Sequence, residues 1–142
     1  MTSDSNFDLT DPGTYAFWVD DVIRFSDQDA GGHVNNTAFA AYVESGRVAF
    51  VREIRRKRGP DDRIVVARVA IDYLREAHWP GALRIGARVV RVGRTSFTVG
   101  SGVFKDGQCL ATAESVVVFM HGPASAEPPT DVRARLQKLL AS

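Results

Sequence analysis

Between Thr37 and Ile54 the apolar residues Phe39, Val43, Phe50 and Ile54, with Gly46 among them, recur at steps of three and four. That is the period of an amphipathic helix with one buried stripe, and Ala38, Ala41 and Ala49 set small residues beside it. Asn35 or Asn36 is suited to cap its start, and Arg55, Arg56, Lys57 and Arg58 ahead of Gly59-Pro60 suit its end. Beyond residue 62 the period shortens to two. Residues 64–77, "IVVARVAIDYLREA", predict a strand that His78-Trp79-Pro80-Gly81 breaks. Leu83, Ile85, Ala87 and Val89 alternate with Arg84, Gly86 and Arg88, whereas Val90 and Val92 fall out of phase, so a bulge is expected near Val89. Gly93-Arg94 and Asp106-Gly107 suit two-residue hairpin turns and delimit strands over 95–105 and 108–120. Ahead of the helix, Tyr15, Trp18, Val22, Ile23 and Phe25 predict a first strand.

The ends carry less pattern. Residues 1–14 are polar and read as a flexible N-terminus, and residues 122–129, "GPASAEPP", read as a linker without regular structure. Residues 130–142 hold a closing helix, capped by Thr130, with Val132, Leu136, Leu139 and Leu140 on its apolar side. The domain proper is expected over 15–121. Its order of one strand, one long helix and four strands implies an α+β fold, an antiparallel sheet of about five strands wrapped around a single helix.

Composition narrows the setting. A chain of 142 residues with 44% hydrophobic content suits one domain with its own core. Its 18 lysines and arginines against 17 acids leave a charge of +1, so neither nucleic acid nor a membrane surface is an expected partner. No stretch has the length of a membrane span, the N-terminus lacks the apolar core of a leader, and Cys109 stands alone; together these point to a cytoplasmic protein. The histidines, His33, His78 and His121, show no ligand spacing, so no metal and no cofactor is expected.

The densest polar stretch lies between the first strand and the helix. "SDQDAGGHVNNTAF", residues 26–39, crowds Asp27, Asp29, Gly31, Gly32, His33, Asn35 and Asn36 ahead of the apolar stripe. Turn and cap chemistry alone accounts for such residues. The longer segment "IRFSDQDAGGHVNNTAFAAYVESGR", however, resembles the signature of hot-dog-fold acyl thioesterases of the 4-hydroxybenzoyl-CoA thioesterase class. In that signature an aromatic, an acid, one residue and a second acid precede a glycine-containing HVNN-like turn that opens the central helix. "DYLREAHWPGALRIGARVVRVGRTSF" is similar to the later strands of the same family, so the resemblance covers roughly residues 15–121. A second similarity, to the catalytic segment of plant-type acyl-carrier-protein thioesterases, keeps Asp29 and His33 but has Gly31 where that family has an asparagine.

The resemblance implies hydrolysis of an acyl thioester, carried by coenzyme A or by an acyl carrier protein. Asp29 matches the catalytic carboxylate, acting either as nucleophile or as general base. Backbone N–H groups near Asn36 and Thr37, at the positive end of the helix, would polarise the carbonyl. Gly31 and Gly32 would let backbone approach the substrate, and His33 would organise the loop or touch substrate. Asp27 reads as a structural acceptor or a modulator of Asp29, and Glu44 as a structural partner of Arg47, although another hot-dog class draws its acid from the helix. Arg94, with Arg91, matches a basic position near the nucleotide, or else marks a solvated hairpin end. Phe39, Tyr42, Tyr73 and Trp79 either shape the acyl pocket or pack the core. The histidine-and-acid signatures of hot-dog dehydratases and hydratases are not visible, and a noncatalytic acyl-CoA-binding or regulatory hot-dog domain is the rival from another class. Because one helix cannot cover both faces of such a sheet, a homodimer or homotetramer is expected, with the site at the seam.

Overall fold

The computed structural model describes residues 6–55 and 59–142. Its elements are β1 (Phe17–Ile23), α1 (Asn36–Ile54), β2 (Asp62–Tyr73), β3 (Gly81–Val92), β4 (Ser96–Lys105), β5 (Gln108–His121), β6 (Ala124–Ser125) and α2 (Thr130–Ala141). The long strands form one sheet in the order β1-β3-β4-β5-β2, every neighbouring pair antiparallel, and β6 pairs the end of β5. No described helix is long and apolar enough to cross a membrane.

The helical stripe and the alternating strands meet as their periods require. Phe39, Tyr42 and Val43 of α1 bury against Leu83, Ile85, Val103 and Ala111, and Phe50, Val51 and Ile54 against Val89, Phe97, Val99 and Val117. Gly46 lies between these two clusters, where a Cβ would stand 2.5 Å from Ile85 Cγ2. The absent side chain is what lets the helix backbone approach β3. The bulge expected near Val89 is present, as a register shift between Val89 and Arg91. Val89 faces α1 and Val90 packs on the opposite sheet face with Leu9, Tyr15 and Phe104, and the extra residue resets the alternation so that Val92 returns to the α1 side.

That opposite face also takes side chains from the N-terminal segment: Leu9 is buried, the Tyr15 hydroxyl donates to the Leu9 carbonyl at 2.6 Å, and the Arg88 guanidinium lies 3.5 Å from the Phe7 ring centre. Two apolar side chains among polar neighbours suffice to anchor the segment. Arg88 also donates to the carbonyls of Thr14, Leu139, Leu140 and Ser142, tying this segment to the end of α2.

Other boundaries shift for local reasons. β1 is shorter than expected, with Phe25 in a 3₁₀ turn over Phe25–Asp27. The Gly93 N–H donates to the Ser96 carbonyl at 2.7 Å, so the β3–β4 reversal runs over Arg94 and Thr95 instead of Gly93-Arg94. Asp106 and Gly107 do form the β4–β5 turn, both with positive φ, 51° and 79°. Pro129, not Thr130, is the cap of α2, with no side-chain cap bond. The supposed linker contributes β6, which pairs Ala124 and Ser125 with His121 and Met120. Within α2, Arg135 Nε donates to the Ile54 carbonyl at 2.9 Å and satisfies the end of α1. Of the basic run expected to close α1, Arg56, Lys57 and Arg58 lie outside the described residues. β2 ends at Tyr73, four residues before the expected boundary, and this frees residues 74–80 to cross the Asp29 loop.

Candidate active site

The loop between β1 and α1 is shaped by the Asp29 side chain. Its Oδ1 accepts the N–H groups of Gly31 at 2.9 Å and His33 at 3.1 Å, while Asp29 N–H donates to the His33 carbonyl at 2.8 Å. The two glycines serve this turn differently. A Cβ on Gly31 would stand 3.3 Å from Asp29 Oδ1, whereas Gly32 has open space around it but sits at φ 82°, where side chains are disfavoured. Asp29 Oδ2 has no hydrogen-bond partner among the described residues. The residue is exposed at a cleft of about 310 Å³ whose lining includes Asp29, His33, Asn36, Phe39, Tyr73 and Arg75.

The helix start enters the same cleft. Asn35 is the cap, and its Oδ1 accepts the Thr37 N–H at 3.1 Å. Of the two donors expected near the carbonyl, Thr37 is therefore already engaged. The Asn36 N–H has no partner among the described residues and remains available at the positive helix end.

Asp27 lies deeper than Asp29 and its bonds are structural. Oδ2 accepts the Tyr42 hydroxyl at 2.5 Å and the Arg24 N–H at 2.8 Å, and its backbone carbonyl accepts the Asn35 N–H at 2.8 Å. Burial, and then the bond to Asp27, push the Tyr42 phenol above the ordinary tyrosine range. Tyr42 is thus a brace under the loop rather than a pocket wall. Phe39 and Tyr73 meet edge-to-face at 5.8 Å and line the cleft, whereas Trp79 packs on Phe25 at 5.1 Å.

Residues 74–80 form the other side. Leu74 and Arg75 both donate to the Leu110 carbonyl, which ends the β2 ladder, and Val34 N–H donates to the Ala77 carbonyl at 2.8 Å. These bonds bring Arg75 and Glu76 to the cleft, residues that the sequence reading leaves within a strand. The Leu-Arg-Glu triplet carries no turn signal of its own. His33 Nδ1 stands 3.1 Å from Glu76 Oε2, and its ring lies 4.8 Å from that of His78. Proximity here is not hydrogen bonding: the His33 Nδ1 atom is buried and has no partner in bonding geometry. Two histidines with no ligand spacing along the chain thus meet in space.

Arg91 and Arg94 lie elsewhere. Asp29 follows β1, whose end pairs Gly81 at the start of β3, whereas Arg91 and Arg94 lie at the far end of β3. At about 3.3 Å per residue, roughly 30 Å of strand separates them from the cleft within one chain. Glu44 is also apart from Asp29. It stands 3.7 Å from Arg47 and borders a larger groove of about 610 Å³ between α1 and β2, which Val48, Val51, Ile64 and Val66 also line. Arg47 is buried, donates to Ser115 Oγ at 3.3 Å, and has its pKa lowered by that burial. The groove is larger, but the chemistry of the loop faces the smaller cleft.

Residues 23–136 match the family model described as the thioesterase-like superfamily. The uncharacterized protein YsmA of Bacillus subtilis is 30% identical over 87 residues, 61% of this chain and 59% of its own length. This chain therefore spans about three fifths of that curated relative. A crystal structure of a thioesterase from Thermus thermophilus, complexed with coenzyme A and Zn, superposes with a TM-score of 0.79 at 30% identity, over 90% of this chain and 96% of that one. A thioesterase-superfamily structure from Jannaschia sp. CCS1 gives a TM-score of 0.83 at 30% identity, over 92% of this chain and 86% of that one. The shared architecture is the hot-dog thioesterase fold expected from the loop motif.

Proposed function

Since the chain belongs to the thioesterase-like superfamily, we propose that it hydrolyses an acyl-coenzyme A thioester, with Asp29 as the catalytic carboxylate. The observation that supports this most is the pairing of two groups at one cleft. Asp29 Oδ1 is fixed by two backbone N–H groups while Oδ2 is left without a partner among the described residues, and the unengaged Asn36 N–H opens the adjacent helix. A thioester carbonyl seated between them would have its oxygen against the Asn36 N–H and its carbon toward the carboxylate. As general base, Asp29 takes a proton from water as the oxygen attacks, the C–S bond breaks, and the thiolate leaves and is protonated. As nucleophile, Asp29 forms a mixed anhydride that water then hydrolyses to the same acid and thiol. Phe39 and Tyr73 offer the acyl group an apolar wall.

The coenzyme A named in the Thermus relative supports that carrier over an acyl carrier protein. Arg91 and Arg94 would then reach the phosphates from a second copy of the chain. β2 and β1 are the two edge strands of the sheet, and it is β2 beside which Val48, Val66, Val69 and Tyr73 are exposed. If two β2 edges pair antiparallel in a homodimer, the partner's β3–β4 turn comes to the sheet end that carries this chain's Asp29 cleft.

Free-thiol release from a panel of acyl-coenzyme A substrates tests the assignment. Asp29→Asn retains the Oδ1 acceptor and therefore the turn, but removes the charge. It is expected to lower kcat by about a hundredfold or more with little change in KM. Equal rates for Asp29→Asn and the wild type, or a wild type inert toward the whole panel, would overturn it.

A further inference from the structure

We propose that His33, Glu76 and His78 form a binding site for a divalent first-row metal ion, of zinc-like ligand preference, which bolts the Asp29 loop to the β2–β3 connection. The proposal stands apart from the hydrolase reading, because it concerns ion binding alone. One donor atom from each residue lies within 4.8 Å of the others. Tetrahedral coordination, with nitrogen and oxygen ligands about 2.0–2.2 Å from the ion, sets ligand atoms about 3.3 Å apart. His33 Nδ1 and Glu76 Oε2, at 3.1 Å, already hold that separation. His78 is exposed, and a ring shift of at most about 1.5 Å that keeps its Nδ1 on the Gly32 carbonyl would complete the set.

Two further observations point to an ion rather than to a chance cluster. The His33 Nδ1 atom is buried and without a hydrogen-bond partner, an uncommon and costly state that donation to a cation would relieve. His78 Nδ1 lies 3.2 Å from the Gly32 carbonyl oxygen. A carbonyl can only accept, so that nitrogen carries the hydrogen and the Nε2 lone pair is left for a ligand. Metal-binding histidines are commonly oriented by such a bond from the other ring nitrogen. Two imidazoles with one carboxylate suit zinc and its neighbours rather than calcium or magnesium, which take oxygen sets, and a fourth position remains for water.

The scaffold limits what an ion must order. Val34 N–H already joins the two segments through the Ala77 carbonyl, and His33 N–H already holds Asp29 Oδ1. A bound ion would restrain His33, and through it the turn that fixes the Asp29 carboxylate.

The test uses the full chain, stripped with a chelator and titrated with zinc chloride alone by calorimetry, then with cobalt(II) by visible absorption. Uptake of one ion per chain is expected, with a raised thermal midpoint in the zinc-loaded protein. His78→Ala and Glu76→Gln should each weaken binding about tenfold or more, whereas His121→Ala, remote from the cluster, should bind as the wild type does. His78 and Glu76 are exposed, so these variants retain the fold. Absence of stoichiometric uptake, or uptake unchanged in both His78→Ala and Glu76→Gln, overturns the site. No thioester enters the measurement, so a failure to hydrolyse substrate does not affect its outcome.

Discussion

Asp27 and Asp29 are the same residue type two positions apart, and their surroundings give them different work. Asp29 commits one oxygen to the turn and presents the other to the cleft, whereas Asp27 receives the Tyr42 hydroxyl and the Arg24 N–H beneath it. Asp27→Asn should therefore lower stability more than it lowers the rate of any wild-type turnover, the reverse of Asp29→Asn. Chemical denaturation alongside thiol release separates the two effects. Tyr42 gives a sharper test through pH. Its folded pKa is raised, by burial first and by the Asp27 bond second, and burial raises that of Tyr15 as well. Below about pH 10 both folded and unfolded tyrosines hold their protons, so the contribution is fully present. Above it the unfolded chain releases protons that the native state keeps, and stability falls as pH rises. Tyr42→Phe should cost about 1 kcal/mol at pH 8 and then lose stability less steeply than the wild type above pH 10. Urea midpoints across that range check the slope.

At the scale of elements, the tightest constraint is where α1 crosses β3. In an isolated helix Gly46→Ala would gain roughly 1 kcal/mol from propensity. Here the new methyl would meet Ile85 Cγ2 at 2.5 Å, on a β-branched side chain that is itself fully buried. With Ile85 fully enclosed, overpacking is expected to prevail with a net loss of about 1–3 kcal/mol. A thermal midpoint raised by Gly46→Ala would show that the helix can lift off the sheet. The bulge between Val89 and Arg91 works at the same scale: it resets the strand's alternation after Val90, so that Val89 and Val92 both serve α1 while Val90 serves the N-terminal segment.

For the whole molecule, the proposed dimer rests on the open β2 edge and the valines beside it. α1 covers one sheet face and residues 7–15 part of the other, yet Val66 and Val69 stay about two-fifths exposed along a strand that is paired on one side only. A second copy paired there would cover them and bring Arg91 and Arg94 to the end of the sheet that carries Asp29. Light scattering is expected to report a dimer or a multiple of it. Val69→Lys should shift it toward monomer, and with the seam lost thiol release should fall. Arg94→Ala should raise KM for an acyl-coenzyme A and leave kcat nearly unchanged. A wild type that is monomeric at working concentration would remove the proposed role of Arg94 together with the dimer.

Features governed by local periodicity and backbone chemistry were legible in the chain before it folded. The three- and four-residue steps from Phe39 to Ile54 specify α1, the alternation from Leu83 to Val89 specifies β3 up to its bulge, and Asp106-Gly107 specifies the turn between β4 and β5. The Asp29 turn was legible for the same reason, since its bonds run within five residues. The groups that surround that turn came from three-dimensional packing instead. Arg75 and Glu76 sit in a stretch with strand-like composition, and their release from β2 depends on the Leu110 carbonyl across the sheet. Thr37 is engaged by its cap while Asn36 is not, a distinction of one residue that helix geometry sets. Leu9 and Phe7 are anchored by β3 and by Arg88, far along the chain. His33 and His78 become neighbours through bonds between their segments, from Val34 to Ala77 and between His78 and Gly32, and contacts of that kind leave no period in the sequence to read.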